Sequence, residues 1–205
     1  MENIENVAFC SLQTIWAKFD LYVFVEKETL KEHLVLKLGN VSDGSIVLSR
    51  IHSECLTGET FQSQRCDCGG QLELALKKIA KEGRGILLYM RQEGRGIGLV
   101  EKIKAYNLQD KGADTVEANL NLGFSEDERN YDVCGSILRY FNISSLKLMT
   151  NNPKKINAIE ALQFNVVREE HFVKCNKHNL KYLQTKSQKL GHLLDLSLGK
   201  LNKIS

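Results

Sequence analysis

Long apolar runs are missing from this sequence. The longest, such as "ILLYM" at residues 86–90, fall far short of the roughly 20 residues a membrane helix needs, so no helical membrane span is expected. Proline occurs once, and no internal repeat or low-complexity linker interrupts the chain. With apolar residues at 42%, the composition is that of an ordinary globular protein, not a collagenous or disordered one. Charge of one sign is not in excess either. The net charge is +3, and a strong basic or aromatic platform is lacking. Both argue against a nucleic-acid partner, although local basic clusters could still bind phosphate. The first residues, "MENIENVAF", have no basic stretch leading into an apolar one. No secretory signal is visible, and a cytoplasmic location is expected. Structural disulfides are rare there, so clustered cysteines read as a metal or catalytic site before they read as staples.

What is present suits one sizeable domain with a real core: 205 residues leave room for at most a small appendage. The opening third reads as β. "LYVFVEKET", "HLVLKLG" and "SIVLSRIHS" are short, rich in Val, Ile, Leu and Phe, and broken by turns such as "NVSDGS". Then the period changes. Leu72, Ala75, Leu76, Ile79 and Ala80 recur at helical spacing, so residues 71–83 form an amphipathic helix that stops at Gly83. "GILLYM" is a buried strand, "RQEGRGIG" a polar glycine-rich loop, and residues 99–112 a helix stopped by Gly112. Residues 114–125 read as a loop, 126–142 as a helix, 145–150 as a strand, 156–162 as a short helix, 164–170 as a strand and about 179–194 as a last helical segment. The fold class is α+β: a single domain over residues 1–205, with a mixed β-sheet and flanking helices. Residues 195–205 are expected to be a dispensable, partly ordered tail.

Three of the six cysteines, Cys55, Cys66 and Cys68, fall in "SECLTGETFQSQRCDCGG". Cys10, Cys134 and Cys175 stand alone and read as small buried hydrophobes. The trio differs, because Cys55 can return beside the Cys66-x-Cys68 pair across a ten-residue loop. Three thiolates with an open position is the pattern of a catalytic zinc site, whose fourth ligand is a water with a pKa lowered toward about 7. A redox pair or packing cysteines is the competing reading, since C-x-C is less specific than a doubled C-x-x-C.

The blocks "RIHSECLTGETFQSQRCDCGGQLE", "RQEGRGIGL", "DTVEAN", "GFSEDERNY" and "LMTNNPKK" together resemble the GTP cyclohydrolase II family, in that order and at close to its spacing. The likeness runs from about residue 47 to 194; the first 45 residues match more loosely, with "LQTIWAKF" at the entry. No second enzymatic domain of the kind sometimes fused in this family is seen. The resemblance implies opening of the guanine imidazole ring of GTP, with C8 released as formate and the outer phosphates as pyrophosphate. The product would be 2,5-diamino-6-ribosylamino-4(3H)-pyrimidinone 5′-phosphate, the first committed intermediate of riboflavin synthesis. It implies Zn2+, one per chain, at the ring carbon, Mg2+ with the substrate phosphates, and a homodimer.

Residue by residue, the resemblance makes Cys55, Cys66 and Cys68 the zinc ligands, and Tyr106 a participant in ring opening. Without it, a tyrosine on a helical stripe reads as core. Asp127 and Arg129 in "EDER" would read alone as acids complementing a helix dipole. The resemblance makes Asp127 a proton acceptor and Arg129 a nucleophile at the α-phosphorus. Charge stabilisation of the transition state is an equally physical role for Arg129. Arg50, Ile51, His52, Ser53, Glu54 and Gln71 resemble the nucleotide-binding edge beside the metal, as do Glu93, Gly94 and Arg95 in the glycine-rich loop. Thr115, Thr150 and Lys155 match further nucleotide contacts, with Lys155 as a point charge for a phosphate. "GRGIG" is not a dinucleotide fingerprint.

Overall fold

The computed structural model describes residues 3–173 and 175–194. The expected tail at 195–205 lies outside them. Contacts group the chain into two compact units interleaved in sequence: residues 1–53, 73–91 and 130–171 form the first, and 54–72, 92–129 and 172–205 the second. The chain passes back and forth between them, so no single linker marks a boundary in the sequence.

The first unit holds all seven strands found among the described residues, in one sheet of order β1-β2-β3-β5-β4-β6-β7. Strands β1 (Ile4–Gln13), β2 (Lys18–Glu26), β3 (Glu32–Leu38) and β5 (Gly85–Met90) pair antiparallel. Strands β4 (Val47–Ser53), β6 (Ser145–Met149) and β7 (Asn165–Glu169) continue the sheet in parallel, beginning with the β4–β5 pair. The sheet is thus mixed, as its sequence implied. The reason is connectivity: short turns join the early strands, whereas parallel neighbours need long crossovers, here carrying helices. Central β4 is buried at every residue but its last, so its polar Ser49, Arg50 and His52 are buried along with its apolar residues. Its Val47 and Ile51 join Phe24, Val35, Leu88, Leu146 and Leu148 in one core, closed by α5 (Asp132–Tyr140) through Ile137 and Leu138.

Edge strand β1 was missed by the sequence reading. Eight of its ten residues are exposed, so no buried face imposes an alternation, and Cys10 on it is exposed, not buried as expected. Cys134 and Cys175 are buried, and burial pushes the Cys134 thiol up to about 12, which keeps it inert at neutral pH.

The second unit is helical: α1 (Leu56–Glu59), α3 (Leu99–Asp110), α4 (Thr115–Asn121) and α7 (Leu180–Gln188), with a tight 3₁₀ turn at Glu93–Gly96. Helix α2 (Cys68–Glu82) gives its first five residues to this unit and the remainder to the first. Helix α6 (Pro153–Ala161) belongs to the first unit. Two expectations are corrected here. Residues 114–125, read as loop, contain α4, opened by a capping box in which Asp114 accepts from Val116 and Glu117 while Glu117 reaches back to the Asp114 N–H. Residues 126–131, read as helix, are not helical; α5 starts only at Asp132. The acids of "EDER" are taken by other partners: Asp127 by Arg129, and Glu128 by the Ser125 N–H.

Candidate active site

In the second unit the three cysteine sulfurs converge. Cys55 is the N-cap of α1 and Cys68 the first residue of α2. The Sγ atoms of Cys55, Cys66 and Cys68 lie within 4.8 Å of one another, with 3.7 Å between Cys55 and Cys66. A tetrahedron with metal–sulfur bonds of about 2.3 Å has edges of about 3.8 Å, so the donor set has the size and the softness for zinc. Without a metal, hydrogen bonds from Cys66 and Cys68, with the Lys102 ammonium behind them, outweigh burial and draw the Cys55 thiol far below its usual range. The hydrogen bond to Cys55 leads the causes that push Cys66 and Cys68 up. A divalent ion would displace the remaining thiol protons as it bound. The room for this comes from missing side chains. A Cβ on Gly58 would stand 2.8 Å from Cys66 Sγ, and one on Gly69 2.4 Å from the Gly58 carbonyl oxygen.

Three residues around the sulfurs were not foreseen. Lys102 Nζ donates to Cys55 Sγ at 3.2 Å and to Glu93 Oε1 at 2.7 Å. Burial works against its charge, but Glu93 outweighs it, so the lysine pKa is raised and the ammonium persists. Thr57 Oγ1 lies 3.8 Å from Cys55 Sγ and 3.3 Å from the Tyr106 hydroxyl, which aims the phenol at the cluster. Tyr106 follows Lys102 by four residues, one helical turn, so α3 presents both on one face. Glu93, expected at the nucleotide-binding edge, spends its carboxylate inside the unit, accepting also from the Leu56 and Gly94 N–H groups at 2.7 and 2.8 Å.

The third residue of interest sits between two of the thiols. Asp67 is buried and accepts from Lys186 Nζ at 2.8 Å and from Gln71 Nε2 at 2.6 Å. Burial pushes its pKa up, but the Lys186 charge and hydrogen bond prevail and the net shift is downward. Lys186→Met should therefore destabilise the protein by about 3–5 kcal/mol at neutral pH, because a carboxylate is left buried without its cation. The sign with pH follows. In the native chain the depressed Asp67 pKa contributes stability above its unfolded value of about 3.9, lost on acidification. In the variant the Lys186 charge is gone, and burial, the largest influence, is opposed only by the Gln71 and backbone hydrogen bonds, so that pKa rises. The gap between the two proteins should then open as pH rises through about 4. Urea unfolding at pH 4 and pH 7 measures it; an equal gap at both pH values would refute the assignment.

Farther along the unit, Asp127 grips Arg129 with two prongs: Nε to Oδ1 at 2.7 Å and Nη2 to Oδ2 at 2.6 Å. Burial raises the Asp127 pKa, but the Arg129 hydrogen bonds and charge reverse the shift, so the carboxylate stays ionised. Arg95 and Gly94 both take left-handed backbone angles, with φ of 62° and 63°. For an arginine this is sparsely populated and points to a functional constraint. The loop clasps the Asp127 segment, since Glu128 N donates to Arg95 O at 3.0 Å and Arg95 Nη1 to Glu126 O at 3.4 Å. Arg95 Nη2 is buried with no hydrogen-bond partner among the described residues. His192, which the sequence did not single out, is pushed down to about 3 by burial and by the charges of Lys186, Arg129 and Arg95. Thr115 opens α4 and lines a cavity of about 310 Å³ with Arg65, Asp110, Lys181 and Tyr182. Half-buried Glu54 leads into Cys55.

The remaining expected contacts lie in the first unit, at the carboxyl ends of the parallel strands β4 and β6. Such ends are where open α/β sheets place ligands. Arg50, Ile51, His52 and Ser53 end β4, and Thr150 follows β6. Arg50 Nη1 donates to the Met149 carbonyl and Lys155 Nζ to the Ile51 carbonyl, each at 2.7 Å. Asn152 caps α6, in whose first turn Lys155 is buried. An ordinary surface lysine would be exposed.

A family model described as GTP cyclohydrolase II matches residues 5–171. A protein named GTP cyclohydrolase-2 from Pseudomonas aeruginosa is 55% identical over 189 residues, covering 92% of each chain. One of the same name from Hahella chejuensis is 55% identical over 193 residues, covering 94% of this chain and 93% of that one. Among solved structures, a two-domain 3,4-dihydroxy-2-butanone 4-phosphate synthase from A. baumannii shares 20% identity at a TM-score of 0.47; the match covers 84% of this chain and 41% of the other. On the family match and the relatives' identity, the chain belongs to the GTP cyclohydrolase II family.

Proposed function

We propose that the protein hydrolyses GTP, opening the guanine imidazole ring with release of C8 as formate and of the outer phosphates as pyrophosphate. The product is 2,5-diamino-6-ribosylamino-4(3H)-pyrimidinone 5′-phosphate, committed to riboflavin synthesis. The observation that carries this reading is the cysteine triad with the Tyr106 phenol joined to it through Thr57. Cys55, Cys66 and Cys68 would hold zinc, which supplies Lewis acidity for hydrating the ring carbon. Tyr106 positions water and passes a proton to a departing ring nitrogen.

At the phosphate end Asp127 fixes the guanidinium plane of Arg129, and Arg95 offers a buried, unmet donor suited to an anionic oxygen. The pair favours charge stabilisation over attack by nitrogen. For Arg129 to act as a nucleophile, Asp127 must take its proton across at least about 8 pKa units, or about 11 kcal/mol. Nucleotide contacts are assigned to Arg50, Ile51, His52, Ser53, Glu54, Gln71, Gly94, Thr115, Thr150 and Lys155, while the Glu93 carboxylate, spent on Lys102 and the Leu56 and Gly94 N–H groups, shapes the loop. Magnesium would be held mainly by phosphate oxygens and water. A cytoplasmic homodimer is part of the same proposal. No helix among the described residues is long and apolar enough to cross a membrane.

The test is incubation of the purified protein with GTP, zinc and magnesium. Formate and pyrophosphate should appear in equal amounts, with the diaminopyrimidine product identified by mass. Pyrophosphate without formate would overturn the ring-opening reading, and neither product would overturn the whole.

A further inference from the structure

Lys102 donates to a ligand sulfur, Cys55 Sγ at 3.2 Å, and it is an ammonium with almost no exposure to water. Its side chain is 9% exposed, as is that of Glu93, to which it is bound at 2.7 Å. The same Glu93 carboxylate also holds the N–H of Leu56, the residue after Cys55. The sulfur, the cation and the backbone beside the sulfur are therefore tied to one anion. A buried pair of this kind costs desolvation and is weak grounds for stability by itself. The arrangement has a further consequence, because the ammonium's second contact is a sulfur and not water.

We infer that Lys102 is a positioning residue of the metal centre: it donates to Cys55 Sγ, withdraws electron density from that thiolate and thereby keeps the metal Lewis acidic, while Glu93 holds the ammonium in this aim. The inference rests on the metal reading given above. Three thiolates give a divalent ion more negative charge than it carries and blunt its pull on a fourth ligand. A cation hydrogen-bonded to one sulfur offsets this without occupying the open position, as outer-shell partners do at other metal sites. The Tyr106 ring, 5.6 Å from the same ammonium, places the proton-handling phenol in the same field.

Cobalt(II) is the probe, loaded into the full-length chain. In the wild type the sulfur-to-cobalt charge-transfer band reports electron donation by the thiolates. Lys102→Met should move this band to lower energy, and carboxymethylation of Cys55 in the loaded protein should speed up about tenfold, the low end of what outer-shell partners are worth. Lys102→Arg, which keeps a cationic donor, should stay near the wild type in both readouts. Lys102→Met strands Glu93, so Glu93→Gln/Lys102→Met, with neither member of this ion pair left charged, carries the same measurement should the single variant not fold. An unchanged band and alkylation rate in a folded methionine variant would overturn the inference and leave Lys102 a stabilising ion pair. Failure of the wild type to bind cobalt would instead overturn the metal reading on which it stands.

Discussion

Arg129→Ala is expected to cut pyrophosphate release from GTP by roughly 10³-fold or more, the range an arginine supplies when it stabilises phosphoryl-transfer charge. The loss should fall mainly on the rate, since charge builds up in the transition state more than in bound substrate. Arg129→Lys sharpens the test. Were charge alone needed, lysine would restore much of the activity. The structure argues against that, because Asp127 holds the guanidinium through Nε and Nη2 together, at 2.7 and 2.6 Å. A lysine ammonium has no fork to match and would be aimed differently. Little rescue is therefore expected, and steady-state pyrophosphate assays of both variants decide it. Wild-type rates in the alanine variant would remove Arg129 from the chemistry; full activity in the lysine variant would reduce its role to a point charge.

Chemistry carried by local spacing was legible in the sequence, and chemistry carried by tertiary contact was not. Cys66-x-Cys68, with ten residues between it and Cys55, points to thiols that converge, and their sulfurs do lie within 4.8 Å of one another. Lys102 gives no such sign, since a lysine in "EKIKAY" looks like any solvated helix residue; only the fold shows it pointing at sulfur. Asp67 and Lys186 are 119 residues apart, and nothing local ties them. Gly58 was passed over because its reason is the bulk of two sulfurs beside it, not a turn. By contrast α4 could have been read: Asp114 and Glu117 are spaced as a capping box before a helix-forming run. The late start of α5 follows from a rule that local pairing outweighs, since acids near a helix start complement the dipole only if their carboxylates are not engaged elsewhere. In the sheet, β2 to β7 were read from apolar runs, and β1 was missed because an exposed edge needs none.

Tyr106→Phe should keep the metal, bind GTP and lose formate release by about 10²–10⁴-fold, the usual worth of a general acid or base. Phenylalanine retains the ring, and with it the stacking under the Arg65 guanidinium at 4.9 Å and near the Lys102 ammonium at 5.6 Å. Only the hydroxyl is removed, so the comparison isolates the group proposed to handle the proton. The direction of its pKa says which way the proton moves. Burial raises it, the Thr57 hydrogen bond and Lys102 charge pull it back, and the net shift is upward. The phenol is therefore protonated at neutral pH and enters as a donor. A donor is needed where a ring nitrogen must leave, both when the ring opens and when the resulting formamide gives up formate. If the second step depends on it more, a ring-opened formamide should accumulate in the variant, visible by mass while the parallel formate assay stays low. Thr57→Val offers a smaller perturbation along the same line, since it removes the hydroxyl that aims the phenol. Wild-type formate yield and rate from Tyr106→Phe would return the tyrosine to a packing role and require another donor for the leaving nitrogen.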